Sequence, residues 1–147
     1  MAGVSEYTVA GAVGVEARDW RAAVRAAAGL LVDAGAASAE YPDACVATVE
    51  EHGPYIVLTP GLALAHARPE GGAHASGVVA ARLAAPVEFG HPDNDPVDLV
   101  LAFSATDDGD HVAMLAGLAK RLQAGLADEL RAAGSGEGMR ALLDGAP

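Results

Sequence analysis

Residues 53–70 read GPYIVLTPGLALAHARPE and contain two short runs of β-prone residues. The runs cover residues 55–58 and 62–64, and the Pro-Gly pair between them is typical of a tight turn. His66 follows the second run directly. The stretch therefore predicts two strand pieces joined by a turn, with an imidazole at the exit of the second piece.

Two helices are predicted on the amino-terminal side of this stretch. Asp19 is a favourable N-cap for a helix whose apolar residues recur at three- and four-residue spacing, and Gly35 is expected to end it. Pro42 opens a second helix, which the Gly-Pro pair at residues 53–54 closes. The residues before Asp19 show no comparable pattern and are expected to be weakly structured.

Two longer strands are predicted on the carboxy-terminal side. Residues 77–83 are small and branched, and the strand is expected to continue over residues 85–89. A loop rich in Gly, Pro and Asp separates it from residues 97–105, which are nearly all apolar. Such a continuous apolar run is typical of a central strand that is covered on both faces.

Helices complete the predicted fold. Asp107 or Asp108 caps an amphipathic helix, and two short helices follow over residues 128–133 and 137–143. The order of elements predicts an α/β fold in which a mixed β-sheet is sandwiched between α-helices, as a single domain over residues 1–147.

Composition and charge exclude several classes of function. Hydrophobic residues make up 52% and charged residues 20% of the 147 residues, which is typical of a folded domain. The formal net charge of −11 argues against binding to nucleic acid, since phosphate recognition normally needs a basic face. No apolar run approaches the roughly 20 residues that span a bilayer, so direct membrane insertion is not expected. The single cysteine, Cys45, is expected to be buried as a small hydrophobic residue. Because one cysteine cannot form an internal disulfide, the protein is expected in a cytoplasmic, reducing compartment.

Two of the five histidines are candidates for chemistry near neutral pH. His66 has small neighbours that leave its ring open to a partner, and His111 falls in the first turn of a helix, where backbone N–H groups favour an anion. A neutral imidazole is a competent nucleophile toward phosphorus. With His66 as nucleophile, His111 as hydrogen-bond donor and Arg68 as charge partner, the chain could form a metal-free phosphoryl relay. This requires the strands that end near residues 66 and 105 to be parallel neighbours.

Other interpretations of the same residues stay open. His66 can be a solvated surface group, and His111 can merely complete a helix terminus. Two histidines also suggest a metal site, but no cysteine accompanies them and the i, i+4 pair of a zinc-protease helix is absent. Serine-hydrolase, P-loop and dinucleotide-binding motifs are absent as well, so we expect neither a metal nor a cofactor.

Three ordered segments resemble a known family. They are residues 53–70, the pair of segments 86–90 and 94–97, and the acidic turn that leads into His111. The chain resembles the enzyme IIA component of the bacterial phosphotransferase system, in the mannitol/fructose superfamily, and is most similar to the ascorbate-type branch. The family fold is a mixed sheet sandwiched by helices.

The resemblance implies a cytoplasmic phosphocarrier. It would accept a phosphoryl group from the histidine phosphocarrier HPr and pass it to a cysteine on a IIB subunit, possess phosphotransferase activity, and need no cofactor. His66 maps onto the histidine that carries the phosphate, and His111 onto the second active-site histidine. The resemblance leaves open a homodimer, the transported sugar, and a regulatory binding module that signals through its phosphorylation state instead of feeding a transporter.

The chain departs from the family pattern at two positions. Ala65 precedes the histidine where the family usually has proline, and Glu50 stands where the mannitol-type branch has an assisting arginine. Arg68 is the expected substitute for that arginine. An apolar collar of Leu62, Leu64 and Val87 is expected to contact the partner proteins. Cys45 does not resemble the IIB cysteine.

Overall fold

A five-stranded mixed sheet forms the centre of the computed structural model, which describes residues 7–144. In chain order the elements are β1 (Thr8–Val15), α1 (Trp20–Asp33), α2 (Tyr41–His52), β2 (Val57–Thr59), β3 (Leu62–Ala65), a 3₁₀ turn (Pro69–Gly71), β4 (Gly77–Val87), β5 (Val97–Ser104), α3 (Asp108–Gln123), α4 (Leu126–Ala132) and α5 (Gly136–Leu143). The strand order is β1-β4-β5-β3-β2. Strand β5 is central, antiparallel to β4 and parallel to β3.

Helices cover both faces of the sheet, as the sequence predicts. Val100 and Ala102 of β5 pack in a core cluster with α1 and α2, whereas Leu99 and Leu101 pack in a second cluster with α3, α4 and α5. Successive residues of a strand point to opposite faces, so an almost wholly apolar strand needs helices on both sides.

The local signals for helix ends are also confirmed. The Asp19 carboxylate accepts a hydrogen bond of 2.8 Å from the backbone N–H of Ala22 at the start of α1. Gly53 ends α2 with a φ of 86°, a conformation that favours glycine. Asp107, one of the two candidates, caps α3. No helix in residues 7–144 is long and apolar enough to cross a membrane.

The expectation of a weakly structured segment before Asp19 is wrong for the part that the structure describes. Residues 8–15 form β1, an edge strand that pairs with β4 in parallel. The strand is rich in small residues because α5 packs closely on it: a Cβ added to Gly11 would lie 2.7 Å from the Cβ of Met139 and 2.8 Å from the carbonyl oxygen of Gly136. Residues 1–6 lie outside the described residues.

Candidate active site

The fold brings the two predicted histidines together. His66 follows β3, which runs parallel to β5 with Ala65 opposite Ala102. His111 lies in the first turn of α3, which begins shortly after β5 ends. The two ring centroids are 5.3 Å apart and the ring planes are inclined at 69°. The predicted juxtaposition is therefore confirmed, because parallel neighbouring strands end at the same edge of the sheet.

An aromatic ring forms the floor of the site. Phe103, buried in β5, stacks on His66 at a centroid distance of 5.0 Å and an angle of 22°. Its centroid is also 5.1 Å from that of His111. This apolar floor removes solvent from one side of both imidazoles.

The hydrogen bonds of His66 define which ring nitrogen carries the proton. Nδ1 lies 3.3 Å from the carbonyl oxygen of Leu64, which can only accept, so the proton of the neutral ring is on Nδ1. Nε2 then keeps its lone pair and lies 3.4 Å from the hydroxyl of Tyr55. Burial lowers the pKa of His66, the Leu64 carbonyl raises it in part, and the proximity of His111 lowers it further. The neutral form of His66 therefore predominates at pH 7.

The surroundings of the His111 ring indicate which of its two nitrogens carries the proton. Its Nδ1 is buried without a hydrogen-bond partner among residues 7–144. A buried N–H with no acceptor is costly, so the proton of the neutral His111 ring is better placed on Nε2. The histidine pair thus combines a lone pair on Nε2 of His66, which faces the Tyr55 hydroxyl, with an N–H donor on Nε2 of His111.

The start of α3, whose backbone N–H groups are expected to favour an anion, is partly occupied by carboxylates of the chain itself. The Asp107 carboxylate accepts the backbone N–H of Asp110 at 2.7 Å. The Asp110 carboxylate in turn accepts the hydroxyl of Ser76 and, at 3.5 Å, the N–H of Thr106. Carboxylates of the chain therefore use part of the positive end of α3, and they also hold the turn that carries His111.

Tyr41, at the start of α2, was not identified from the sequence. Its buried hydroxyl donates to the carbonyl oxygen of Phe103 at 2.8 Å and accepts from the N–H of Ala67 at 3.1 Å. It thus ties the residue after His66 to the strand that carries the aromatic floor. Burial raises the pKa of Tyr41, so the hydroxyl stays protonated. The only signal in the sequence is a tyrosine beside the proline that opens a helix.

A cavity of about 560 Å³ opens over the histidines. Arg68 lines it, is exposed, and forms no ion pair with any residue from 7 to 144. Glu50 does not line it and instead pairs with Arg21 at 3.0 Å. The cavity wall consists of Ala44, Ala47, Thr48, Glu51, His52, Tyr55, His66, Ala67, Arg68, Glu70, Gly71 and His111.

The predicted apolar collar is wrong. Leu62 and Leu64 are 1% and 2% exposed, and Val87 is 9% exposed. Both faces of β3 are covered, so its leucines pack inward toward α3, α4 and α5. Exposed apolar side chains that accompany the site are Tyr55, next to His66, and Val112 and Leu115, on α3 after His111.

Cys45 is a buried free thiol, as predicted. Burial raises its pKa to about 12, which leaves almost no thiolate at neutral pH. Within residues 7–144 there is no group of three or more His, Cys, Asp or Glu side chains that could hold a metal ion.

Comparison with known sequences agrees with this geometry. Residues 11–144 match the family model described as phosphoenolpyruvate-dependent sugar phosphotransferase system, EIIA 2. Proteins named ascorbate-specific PTS system EIIA component from Shigella boydii and Escherichia coli K12 are 45% and 43% identical to the chain over 96 residues. These matches cover 65% of this chain and 62% of the relatives, so the chain spans less than two thirds of the relatives' length.

Solved structures share the fold. The mannitol-specific cryptic phosphotransferase enzyme IIA CmtB from Escherichia coli is 28% identical, with a TM-score of 0.77 over 95% of this chain and 93% of that one. The IIA mannitol protein from Escherichia coli is 25% identical, with a TM-score of 0.74 over 90% of this chain and 94% of that one. The chain therefore belongs to the EIIA 2 family of the phosphoenolpyruvate-dependent sugar phosphotransferase system.

Proposed function

We propose that the protein is a phosphocarrier that holds a phosphoryl group on Nε2 of His66. The observation that carries this proposal is the pairing of a neutral imidazole, whose reactive lone pair lies in an open cavity, with a second imidazole 5.3 Å away. Membership of the family indicates phosphoryl transfer as the reaction. The fixed tautomer of His66 indicates Nε2 as the atom that takes the phosphoryl group.

The transfer needs no proton movement at His66. The Nε2 lone pair forms the new bond to phosphorus while the bond between phosphorus and the donor's nitrogen breaks, and the Nδ1 proton stays with the Leu64 carbonyl. Catalysis of phosphoryl transfer consists mainly of positioning and of stabilising charge on the equatorial oxygens. His111 supplies an N–H donor for these oxygens, and Arg68 at the cavity wall supplies positive charge.

The partners follow from this role. We infer that HPr is the phosphoryl donor and that a IIB subunit is the acceptor, both meeting the protein in the cytoplasm. The exposed side chains of Tyr55, Val112 and Leu115 offer the apolar contact that the predicted collar does not. The net charge of −11 favours encounter with a basic face.

We further propose that the acceptor is a IIB subunit of the ascorbate type. The support is the 43–45% identity to relatives that carry the ascorbate-specific name. An ascorbate-type IIB subunit is expected to discharge the phosphorylated protein faster than a mannitol-type subunit. Equal or reversed rates would contradict this assignment.

Intact-mass analysis tests the phosphocarrier role. Incubation with phosphoenolpyruvate, enzyme I and HPr is expected to add one acid-labile phosphate, and His66→Ala is expected to add none. His74→Ala is a matched control, since His74 is exposed and does not line the cavity. Phosphate on a folded His66→Ala variant would refute the assignment.

A further inference from the structure

The nucleophilic nitrogen of His66 already has a hydrogen-bond partner. The hydroxyl of Tyr55 lies 3.4 Å from Nε2, and no other partner of this nitrogen occurs among residues 7–144. The Tyr55 ring is nearly perpendicular to that of His66, with centroids 6.0 Å apart. Among the described residues, this hydroxyl is therefore the one hydrogen-bond partner of Nε2.

The fold fixes Tyr55 in this position. Tyr55 lies in the turn between α2 and β2, where the N–H of Val57 donates to the carbonyl oxygen of Pro54 at 3.0 Å. Its neighbour Ile56 accepts a hydrogen bond of 2.9 Å from the N–H of Leu64. Leu64 is the residue whose carbonyl holds Nδ1 of His66. The segment that carries Tyr55 and the strand that orients His66 are thus joined directly.

The hydroxyl acts as the donor in this contact. Burial raises the pKa of Tyr55, so the phenol stays protonated at neutral pH. Nε2 of His66 has no proton to offer, because the ring proton is on Nδ1. The Tyr55 proton therefore points to the lone pair that attacks phosphorus.

We propose that Tyr55 is a further catalytic residue, whose hydroxyl donates to Nε2 in the free protein and to a phosphoryl oxygen once phosphorus has bonded to Nε2. This inference rests on the proposed function. The hydroxyl keeps its own proton throughout and only exchanges one acceptor for another. Phosphoryl oxygens take up positions beside Nε2, on the side where the hydroxyl already lies.

The exchange of acceptors stabilises the phosphorylated state against water. In phosphohistidine the hydroxyl donates to a phosphoryl oxygen beside Nε2, and hydrolysis carries the phosphoryl group away from Nε2 and from this donor. The hydrogen bond is therefore stronger in phosphohistidine than in the transition state for its hydrolysis. Without the hydroxyl, phospho-His66 is expected to lose its phosphate about tenfold faster, since a hydrogen bond to a charged acceptor has roughly that effect on a rate.

The variant Tyr55→Phe tests this role, because it keeps the ring and removes only the hydroxyl. Tyr7→Phe is the matched control, since Tyr7 and Tyr55 are 43% and 45% exposed and only Tyr55 lines the cavity. Two quantities are measured: the ¹⁵N chemical shift of Nε2 in the unphosphorylated protein, and the half-life of the phosphorylated protein after HPr and enzyme I are removed.

We expect both quantities to change in Tyr55→Phe and neither in Tyr7→Phe. A wild-type value for either quantity in Tyr55→Phe overturns the proposal. The ¹⁵N shift needs no phosphoryl transfer, so it separates this inference from the proposed function. Phosphorylation that persists in His66→Ala refutes the proposed function, whereas normal phosphorylation with an unchanged half-life in Tyr55→Phe refutes only the role of Tyr55.

Discussion

Removing the hydroxyl of Tyr41 is expected to destabilise the protein and to loosen the segment that carries His66. Tyr41→Phe leaves the ring in place but deprives two backbone groups, the carbonyl of Phe103 and the N–H of Ala67, of their partner. Phe103 is 0% and Ala67 4% exposed, so water does not readily replace the hydroxyl.

The size of the effect follows from these two groups. Each buried polar group that loses its partner costs about 1–3 kcal/mol, so the free energy of unfolding should fall by about 3 kcal/mol. For a chain of this length that corresponds to a fall in Tm of about 10 °C. Thermal and urea unfolding measure both quantities, and the variant Tyr55→Phe, at a half-exposed position, should stay within about 0.5 kcal/mol of wild type.

Hydrogen exchange at the backbone N–H of Ala67 measures the effect of Tyr41→Phe locally. The Ala67 N–H should exchange faster in Tyr41→Phe than in wild type, because its acceptor is gone. A variant whose free energy of unfolding lies within about 0.5 kcal/mol of wild type, the usual range for a surface substitution, would refute the reasoning. Unchanged exchange at Ala67 would refute it equally, since it would mean that Tyr41 does not hold this amide.

Two further predictions concern the pKa of His66 and the turn between β2 and β3. Because burial lowers the pKa of His66, its NMR titration midpoint should lie below 6.5, the ordinary value for histidine. A midpoint at or above this value would contradict the proposed environment. The unfolded chain then takes up this proton at a higher pH than the folded one, so His66 should reduce stability as the pH falls below 6.5. Gly61→Ala should lower the free energy of unfolding by about 2 kcal/mol, because Gly61 has a φ of 79°, which favours glycine. A Cβ at this position would also lie 2.8 Å from Oδ1 of Asp98 and 2.9 Å from Nη2 of Arg131. Gly29→Ala is the control. Gly29 lies inside α1 and an added Cβ there has nothing within 4 Å, so the free energy of unfolding should stay unchanged or rise. Equal effects of the two substitutions would contradict the argument.

The parts of the fold that could be predicted from the sequence depend on local signals. Asp19 and Gly53 act on backbone groups within four residues of themselves, so their effect can be inferred without knowing the rest of the molecule. The site was also predictable in outline, since His66 and His111 follow strands that end at one edge of the sheet.

The missed features depend on contacts between distant parts of the chain. Strand β1 forms because β4 pairs with it and α5 packs on it, and the small residues that allow this packing give no strong signal of their own. Tyr41 contacts backbone atoms 26 and 62 residues away. The prediction of an exposed collar at Leu62 and Leu64 is wrong because the sequence does not show which helices cover β3.

The two histidines of the site have the same side chain, and their surroundings favour different tautomers. At His66 a carbonyl oxygen takes the Nδ1 proton and leaves a lone pair in the cavity. At His111 the buried Nδ1 finds no acceptor in the described part of the chain, so the proton belongs on the other nitrogen. Exchanging the roles would require a buried N–H without a partner at His111 and a lost hydrogen bond at His66. The direction of the proposed reaction, with phosphorus on His66 and the donor N–H on His111, therefore follows from hydrogen bonds that exist before any phosphate arrives.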